Sequence, residues 1–366
     1  MTKKQAISPT QLFSMMILFE FGTALVLPIG LGSGANAWLS ILLAMPGAMI
    51  LYVLFTYFEK QFPSMILSGY TQKIIGVYLG WPVSFLYILF FIYISARNLR
   101  EAGDLLISAS YDQTPIAVVQ AIMITAVIYV LCKGINAFFR LGEIYFLIIV
   151  SIGILSHAAI LASGTLDLRN LLPVMGKGWM TTLKNAYPNI FMFPFGELVC
   201  FTTVLPYLKQ KQLSKKTGLL AILASSLMLS LTHAMEVAVV GGDVYSRATF
   251  PLFTVITIVD VAEFMQRLDS FVILALIIGV FFKMTVYAFA AASVANDLFR
   301  FKEHSLIAYP VGIIIFLVSI ILAWSVPEHN AEGFTVLYVV LPVFCLIIPV
   351  LLFIVHLFRK RFGHST

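Results

Sequence analysis

The sequence predicts an all-α integral membrane protein with ten transmembrane helices in a five-plus-five inverted repeat, in which helices 1 and 6 are broken. Three observations predict it. Its 366 residues are 60% hydrophobic and 11% charged, with a mean hydropathy of +0.98, whereas a soluble domain carries about 25% charged residues. Apolar runs of about twenty residues, the length of a helical span, recur from end to end without the period-two alternation of a membrane barrel. Two of these runs are interrupted by Gly, Pro and Glu, and they stand at matching positions, first and sixth.

Taken in order, the first run covers residues 11–31, behind a short segment holding Lys3 and Lys4. It is too long for a signal-peptide core and no A-x-A-like site follows, so it reads as a retained helix. Neither end carries an acylation motif. The second run is 35–58, and the loop with Lys60, Pro63 and Lys73 after it has room for an interfacial helix. The third, 78–108, is long and charged in its outer part; the fourth and fifth are 115–132 and 141–162. A polar connector, 164–184, separates a first half, 1–163, from a second, 185–366. The sixth run, 185–208, is broken at Pro194–Glu197 and followed by Lys209, Lys211, Lys215 and Lys216. The seventh is 218–240; segment 241–269, with Asp260, Glu263 and Arg267 at helical spacing, reads as an external amphipathic helix. The eighth, ninth and tenth runs are 270–298, 307–325 and 334–358.

With both termini on the cytoplasmic side, fifteen of the 23 Lys and Arg residues fall inside and seven outside, with Lys283 in a span. The positive-inside rule favours that orientation. The net charge of +6 sits in these short loops and is not a nucleic-acid signature. Five spans per half, an odd number, make the second half enter the membrane from the opposite side. Paired Gly/Pro-broken segments at corresponding positions then point to a binding site between them.

The first break reads Phe19-Glu20-Phe21-Gly22 with Leu27-Pro28 beyond it; the second reads Phe193-Pro194-Phe195-Gly196-Glu197. Unwound backbone offers N–H groups at one half-helix end, suited to a carboxylate, and C=O groups at the other, suited to an ammonium. Gly22 and Gly196 allow close backbone approach, and Pro194 removes a donor. Glu20 and Glu197 are carboxylates at membrane depth, which must be protonated, paired or wet. Lys283 is deep in the eighth span with Tyr287 one turn on, and Tyr93, Arg97, Glu101 and Asp104 form a stripe on the third. Two acids, Glu20 and Glu197, balance two bases, Arg97 and Lys283. Lys283 either occupies the place of a coupling ion and titrates, or permanently neutralises a carboxylate. Arg97 either meets an extra carboxylate on a ligand or is tied to Glu101.

Other polar residues carry weaker signals. His233 and Glu236, near the outer end of the seventh span, suit a gate or a structural contact, and His157 a helix-packing role. Cys132, Cys200 and Cys345 are dispersed, with no disulfide framework or zinc spacing. HExxH, G-x-S-x-G and phosphate-loop motifs are absent from the sequence, so no catalytic residue, metal or cofactor is expected and an enzyme is disfavoured.

Several short strings, in order, resemble one family over essentially the whole chain: Ile7-Ser8-Pro9-Thr10-Gln11-Leu12, Phe21-Gly22-Thr23-Ala24, Asn36-Ala37-Trp38-Leu39, Arg97-x-x-x-Glu101, Leu172-Pro173-Val174 and Pro194-Phe195-Gly196-Glu197. They are similar to the B subunits of bacterial spore germinant receptors, the spore germination permease family, which looks like a branch of the amino acid–polyamine–organocation transporter superfamily. The resemblance implies an amino-acid transporter-like fold, nutrient sensing in the spore inner membrane, and partnership with an A subunit and a lipoprotein C subunit. It implies that Gly22, Thr23 and Ala24 meet the ligand carboxylate, with Phe195, Gly196 and Glu197 from the sixth span and Tyr93, Arg97, Lys283 and Tyr287 from the third and eighth. The first break departs from the superfamily's Gly-Ser-Gly, reading Gly-Thr-Ala.

Overall fold

The computed structural model describes residues 6–25, 27–109, 113–176, 178–258, 268–301, 304–323 and 325–362. It is helical; among the described residues the sole β-type pairing is an isolated parallel bridge between Ile7 and Leu208. Among the described residues seven helices are long and apolar enough to cross a membrane, and Ala308–Ile321 is a shorter apolar helix. Their outward faces are themselves apolar: Ile122, Tyr129, Leu147, Ile154 and Ile321 are all more than half exposed. A surface of that kind is stable against lipid rather than water.

Helix α1 (Pro9–Phe21) starts at a capping box, in which Ser8 Oγ accepts from Gln11 N and Gln11 reaches back to Ser8 N, with Pro9 in the first turn. The predicted first span continued to residue 31, but the helix stops at Phe21. The chain turns through residues 22–25 and resumes as a 3-10 segment, Leu31–Asn36, leading into α2 (Ala37–Gln61). Helix α3 (Leu67–Ile75) is the short helix the basic loop had room for, and α4 (Val77–Ala109) follows.

Helices α5 (Ile116–Lys133) and α6 (Ile135–Ala162) are joined by Gly134 alone, at φ 82°. The fifth span therefore begins six residues earlier than expected: Arg140 marked a loop in sequence, yet it lies within α6. The sixth segment begins at α7 (Trp179–Lys184), inside the predicted connector, and continues as a π-type stretch, Asn185–Ile190, and a 3-10 stretch, Phe195–Thr203. Its irregularity reaches well beyond Pro194–Glu197, because Pro188 interrupts it as well.

Helix α8 (Ser214–Arg247) takes in Lys215 and Lys216, which the sequence placed in a loop, and bends at Gly241, φ 78°. Part of the predicted amphipathic segment is the end of α8 and α9 (Pro251–Ile258); Asp260, Glu263 and Arg267 lie outside the described residues. Then come α10 (Leu268–Phe299), α11 (Ala308–Ile321), α12 (Val326–Thr335) and α13 (Ile348–Phe362), with two π-type turns between the last two. The tenth span thus starts eight residues before the expected 334, and this extension carries His329 and Glu332.

Polar side chains fasten the helices at specific points. Ser95 Oγ on α4 donates to Met284 O on α10 (2.9 Å), and Ser230 Oγ on α8 donates to Trp38 O on α2 (2.9 Å). At the end bearing the N-terminus, Ile7 N donates to Tyr207 O and Lys209 N to Ile7 O, both at 3.0 Å. Ser68 Oγ donates to Asp297 (2.5 Å) and Ser214 Oγ to Glu59 (3.0 Å) at the ends of these helices. Each such bond satisfies polar groups that would otherwise be buried unpaired in an apolar interior.

Candidate functional site

The two interrupted segments meet at Lys283. Its Nζ donates to Glu197 Oε2 at 2.5 Å and to Thr23 Oγ1 at 3.1 Å. The ammonium also lies 4.5 Å from the centre of the Phe193 ring and 5.4 Å from that of Phe19, where the ring faces attract it. Tyr287 OH, one turn further along α10, donates to the other carboxylate oxygen, Glu197 Oε1, at 2.9 Å. Both oxygens of this buried acid are therefore satisfied by α10. Lys283 is fully buried and Glu197 nearly so, so the pair sits where its mutual attraction must offset two desolvation penalties.

Gly22 has a definite packing role here. A Cβ at that position would stand 2.6 Å from Lys283 Cδ and 2.8 Å from Lys283 Cβ. Gly279 faces the Gly22 backbone, its own added Cβ coming within 3.5 Å of Gly22 Cα. The missing side chains let the end of α1 press against α10, so the lysine stem passes where any other residue would block it.

A cavity of about 190 Å³ opens beside this pair. Thr23, Phe193 and Glu197 form one wall, Arg97, Asn98 and Glu101 of α4 a second, and Asn330 and Gly333 of α12 with Phe334 its cover. Since α1 has 13 residues, Thr23 stands about 20 Å along the bundle from the N-terminal end of α1, a depth inside a hydrocarbon core about 30 Å thick. The cavity is smaller than the 300–1,000 Å³ or so of drug-sized pockets, which suits a small metabolite.

Of the eleven residues singled out from sequence, Thr23, Arg97 and Glu197 line this cavity. Lys283 and Tyr287 lie behind Glu197 and hold it; Gly22 receives the Lys283 stem. Ala24, Phe195 and Gly196 are buried in packing, and the Ala24 carbonyl lies 3.1 Å from His233 Nε2. Tyr93 reaches α12, not the cavity: its hydroxyl donates to Glu332 Oε1 at 2.7 Å.

The expected four-charge balance is corrected. Glu20 is fully buried, and neither carboxylate oxygen has a hydrogen-bond partner. Arg97 is tied neither to Glu20 nor to Glu101. Its Nη1 donates to Glu332 Oε2 at 3.1 Å and its Nη2 to His329 O at 3.2 Å, while Glu101 faces His329 Nε2 at 3.4 Å. The reason is that α12 brings its own carboxylate, Glu332, and the His329 carbonyl to the guanidinium. Asp104 pairs with Arg100, Oδ1 to Nε 3.1 Å.

His233 and Glu236 are fully buried. His233 Nδ1 lies 2.8 Å from Glu236 Oε2 and 3.0 Å from Tyr245 OH. That hydroxyl accepts from Ile29 N at 3.0 Å and donates to Ile29 O at 2.7 Å. The cluster clasps the chain that leaves α1.

Asn98, Asn330, Gly333 and Glu332 were missed by sequence reasoning, and Phe193 was read only as part of the second break. Asn98, one residue past Arg97, was within reach of the stripe argument. The α12 residues were not, because their polar run resembles a loop.

The fold and the buried polar centre define a polytopic helical membrane protein on a transporter scaffold. A solved structure of MhsT in complex with L-phenylalanine superposes with a TM-score of 0.72 over 99% of this chain and 91% of that one, at 14% identity. The nucleobase-cation-symport-1 family transporter Mhp1, closed with bromovinylhydantoin bound, gives 0.69 over 91% and 76%, at 12% identity. In sequence, residues 6–325 match the family described as spore germination protein. Spore germination protein KB of Bacillus subtilis (strain 168) is 38% identical over 98% of this chain and 96% of its own, and spore germination protein YndE of the same organism is 22% identical over 89% and 88%. The chain belongs to the spore germination protein family, and it is a non-enzymatic membrane protein.

Proposed function

We propose that this chain is the nutrient-sensing subunit of a germinant receptor, binding a small ligand, an amino acid by preference, in the cavity between the interrupted first and sixth helices of a ten-span, five-plus-five inverted repeat. Ligand binding shifts an open–occluded equilibrium, and partner subunits of the A type and the lipoprotein C type read that shift through contacts that differ between the two states. The subunit resides in the spore inner membrane with both termini cytoplasmic. One observation carries this reading: Lys283 of α10 joins Thr23 of the first segment to Glu197 of the sixth at the wall of a small mid-depth cavity. That is where such scaffolds bind substrates. In this reading the ligand's ammonium and carboxylate meet Glu197, Thr23 and the backbone at the two breaks, with Arg97 above.

A second reading, a proton-coupled amino-acid permease, is favoured by Glu20. A buried carboxyl group with neither oxygen partnered, beside a Lys–Glu pair, is a natural place to carry a proton across.

The test is thermal stability of the purified chain against a panel of amino acids, sugars and nucleosides. A ligand at about 100 times its Kd stabilises the native state by about 2.7 kcal/mol. The reading predicts a shift with at least one amino acid that Glu197→Gln abolishes; a panel with no shift refutes it. Uptake of the same compound into liposomes by this chain alone distinguishes the permease.

A further inference from the structure

A second cavity, about 450 Å³, lies between α2 and α8 at the end of the bundle that bears the N-terminus. Its mouth carries Lys60, from the last turn of α2, and Lys215 and Lys216, from the first turn of α8. All three are exposed, and none forms a salt bridge among the described residues. Glu59, the nearest acid in sequence, is buried with its carboxylate bonded to Ser214 Oγ at 3.0 Å, which commits it to the helix contact. Lys211, which also sits at this end, is committed to the carbonyl of Pro63.

Below the lysines the wall turns apolar. Leu219 and Leu223 repeat at four-residue intervals from Lys215 down one face of α8, with Met49 of α2 opposite. Met49 is eleven residues from Lys60, about 16 Å along the helix. The site is thus a cationic mouth at the membrane surface continued by an apolar trough into the hydrocarbon layer. A soluble anion would satisfy only the mouth and a neutral lipid only the trough.

We infer that this groove binds an anionic phospholipid, its headgroup held by Lys60, Lys215 and Lys216 and one acyl chain laid along Leu219, Leu223 and Met49. Lysine stems suit the position, because their methylenes lie on apolar surface while the ammonium stays in the headgroup region. Basic pockets between helix ends recognise lipid headgroups in this way, each basic residue contributing about a fivefold gain in affinity. The site joins the two helices whose contact also carries Ser230 to Trp38 and Tyr52 to Ser214, so a bound lipid splints α2 to α8.

The experiment uses the full chain, delipidated and titrated with phosphatidylglycerol, phosphatidylcholine or inorganic phosphate, read by native mass spectrometry and thermal melting. Wild type is expected to retain and be stabilised by phosphatidylglycerol over phosphatidylcholine. The triple variant Lys60→Gln/Lys215→Gln/Lys216→Gln, all at exposed positions, is expected to lose about 100-fold in phosphatidylglycerol affinity, and Leu223→Trp to weaken it with the charges intact. Equal retention of the two lipids overturns the proposal. So does a triple variant or a Leu223→Trp variant that binds as wild type, or inorganic phosphate that reproduces the lipid's stabilisation.

Discussion

Replacing Lys283 by methionine removes one charge from a deeply buried ion pair, at nearly constant side-chain volume. Glu197 then keeps only the Tyr287 hydroxyl, 2.9 Å from Oε1, and its other oxygen, now 2.5 Å from Nζ, loses its partner. Both side chains are at most 3% exposed, so little solvent screening offsets the loss. Breaking such a pair on one side costs about 3–5 kcal/mol, which corresponds to a fall in melting temperature of roughly 10 °C. The double variant Lys283→Met/Glu197→Gln removes both charges and is expected to recover much of the loss, a coupling of about 2 kcal/mol between sites in direct contact. Melting of the four proteins in one detergent reads the cycle. A Lys283→Met variant that melts with wild type, or a double variant as unstable as the two single losses added, would refute the account of the pair as mutually dependent. Ligand response in the same variants separates the roles left open in sequence: unchanged response and unchanged pH dependence in Lys283→Met assign the lysine to holding the bundle.

Three further outcomes are expected. Gly22→Ala places a methyl 2.6 Å from Lys283 Cδ and should cost about 1–3 kcal/mol by overpacking, read as lowered melting; an unchanged melt would mean the α1–α10 contact is looser than described. Tyr245→Phe leaves Ile29 N and O without their partner, costing about 1–3 kcal/mol, with hydrogen exchange rising at Ile29 and not in α2. Glu332→Gln removes the charge that faces Arg97 Nη1 and leaves the bond from Nη2 to His329 O; Glu332 is 36% exposed, so stability should change by less than about 1 kcal/mol, while exchange should quicken across 326–335, and protection equal to wild type there would dismiss the Arg97–Glu332 tie as a fastening of α12.

Composition and apolar runs made the helices legible, because spans must be long, apolar and internally hydrogen-bonded. The junction of Lys283 with the two breaks was approachable for the same reason: a charge so deep must find a partner, and few carboxylates share its depth. The true neighbour of Arg97 was not legible. Glu332 is 235 residues away in Pro327-Glu328-His329-Asn330-Ala331-Glu332-Gly333, whose polarity reads as a loop although it forms a helix bonded to the side of α4. Arg140 misled in the mirror-image way, since one arginine in an apolar run looked like an end and was only a polar spot on the surface of α6. Gly22 was noticed for its backbone freedom, but its use as a slot for a lysine stem depends on which helix lies opposite, which no local pattern encodes.

That slot has a mechanical consequence. With Gly22 and Gly279 face to face and the Lys283 stem threaded past them, the tip of α1 and the middle of α10 cannot slide or swivel independently. They form a keyed shaft, in which displacing one helix requires the other to give way. Because α1 opens the chain and α10 lies far along it, this one contact fastens together segments that no local stretch of sequence could hold.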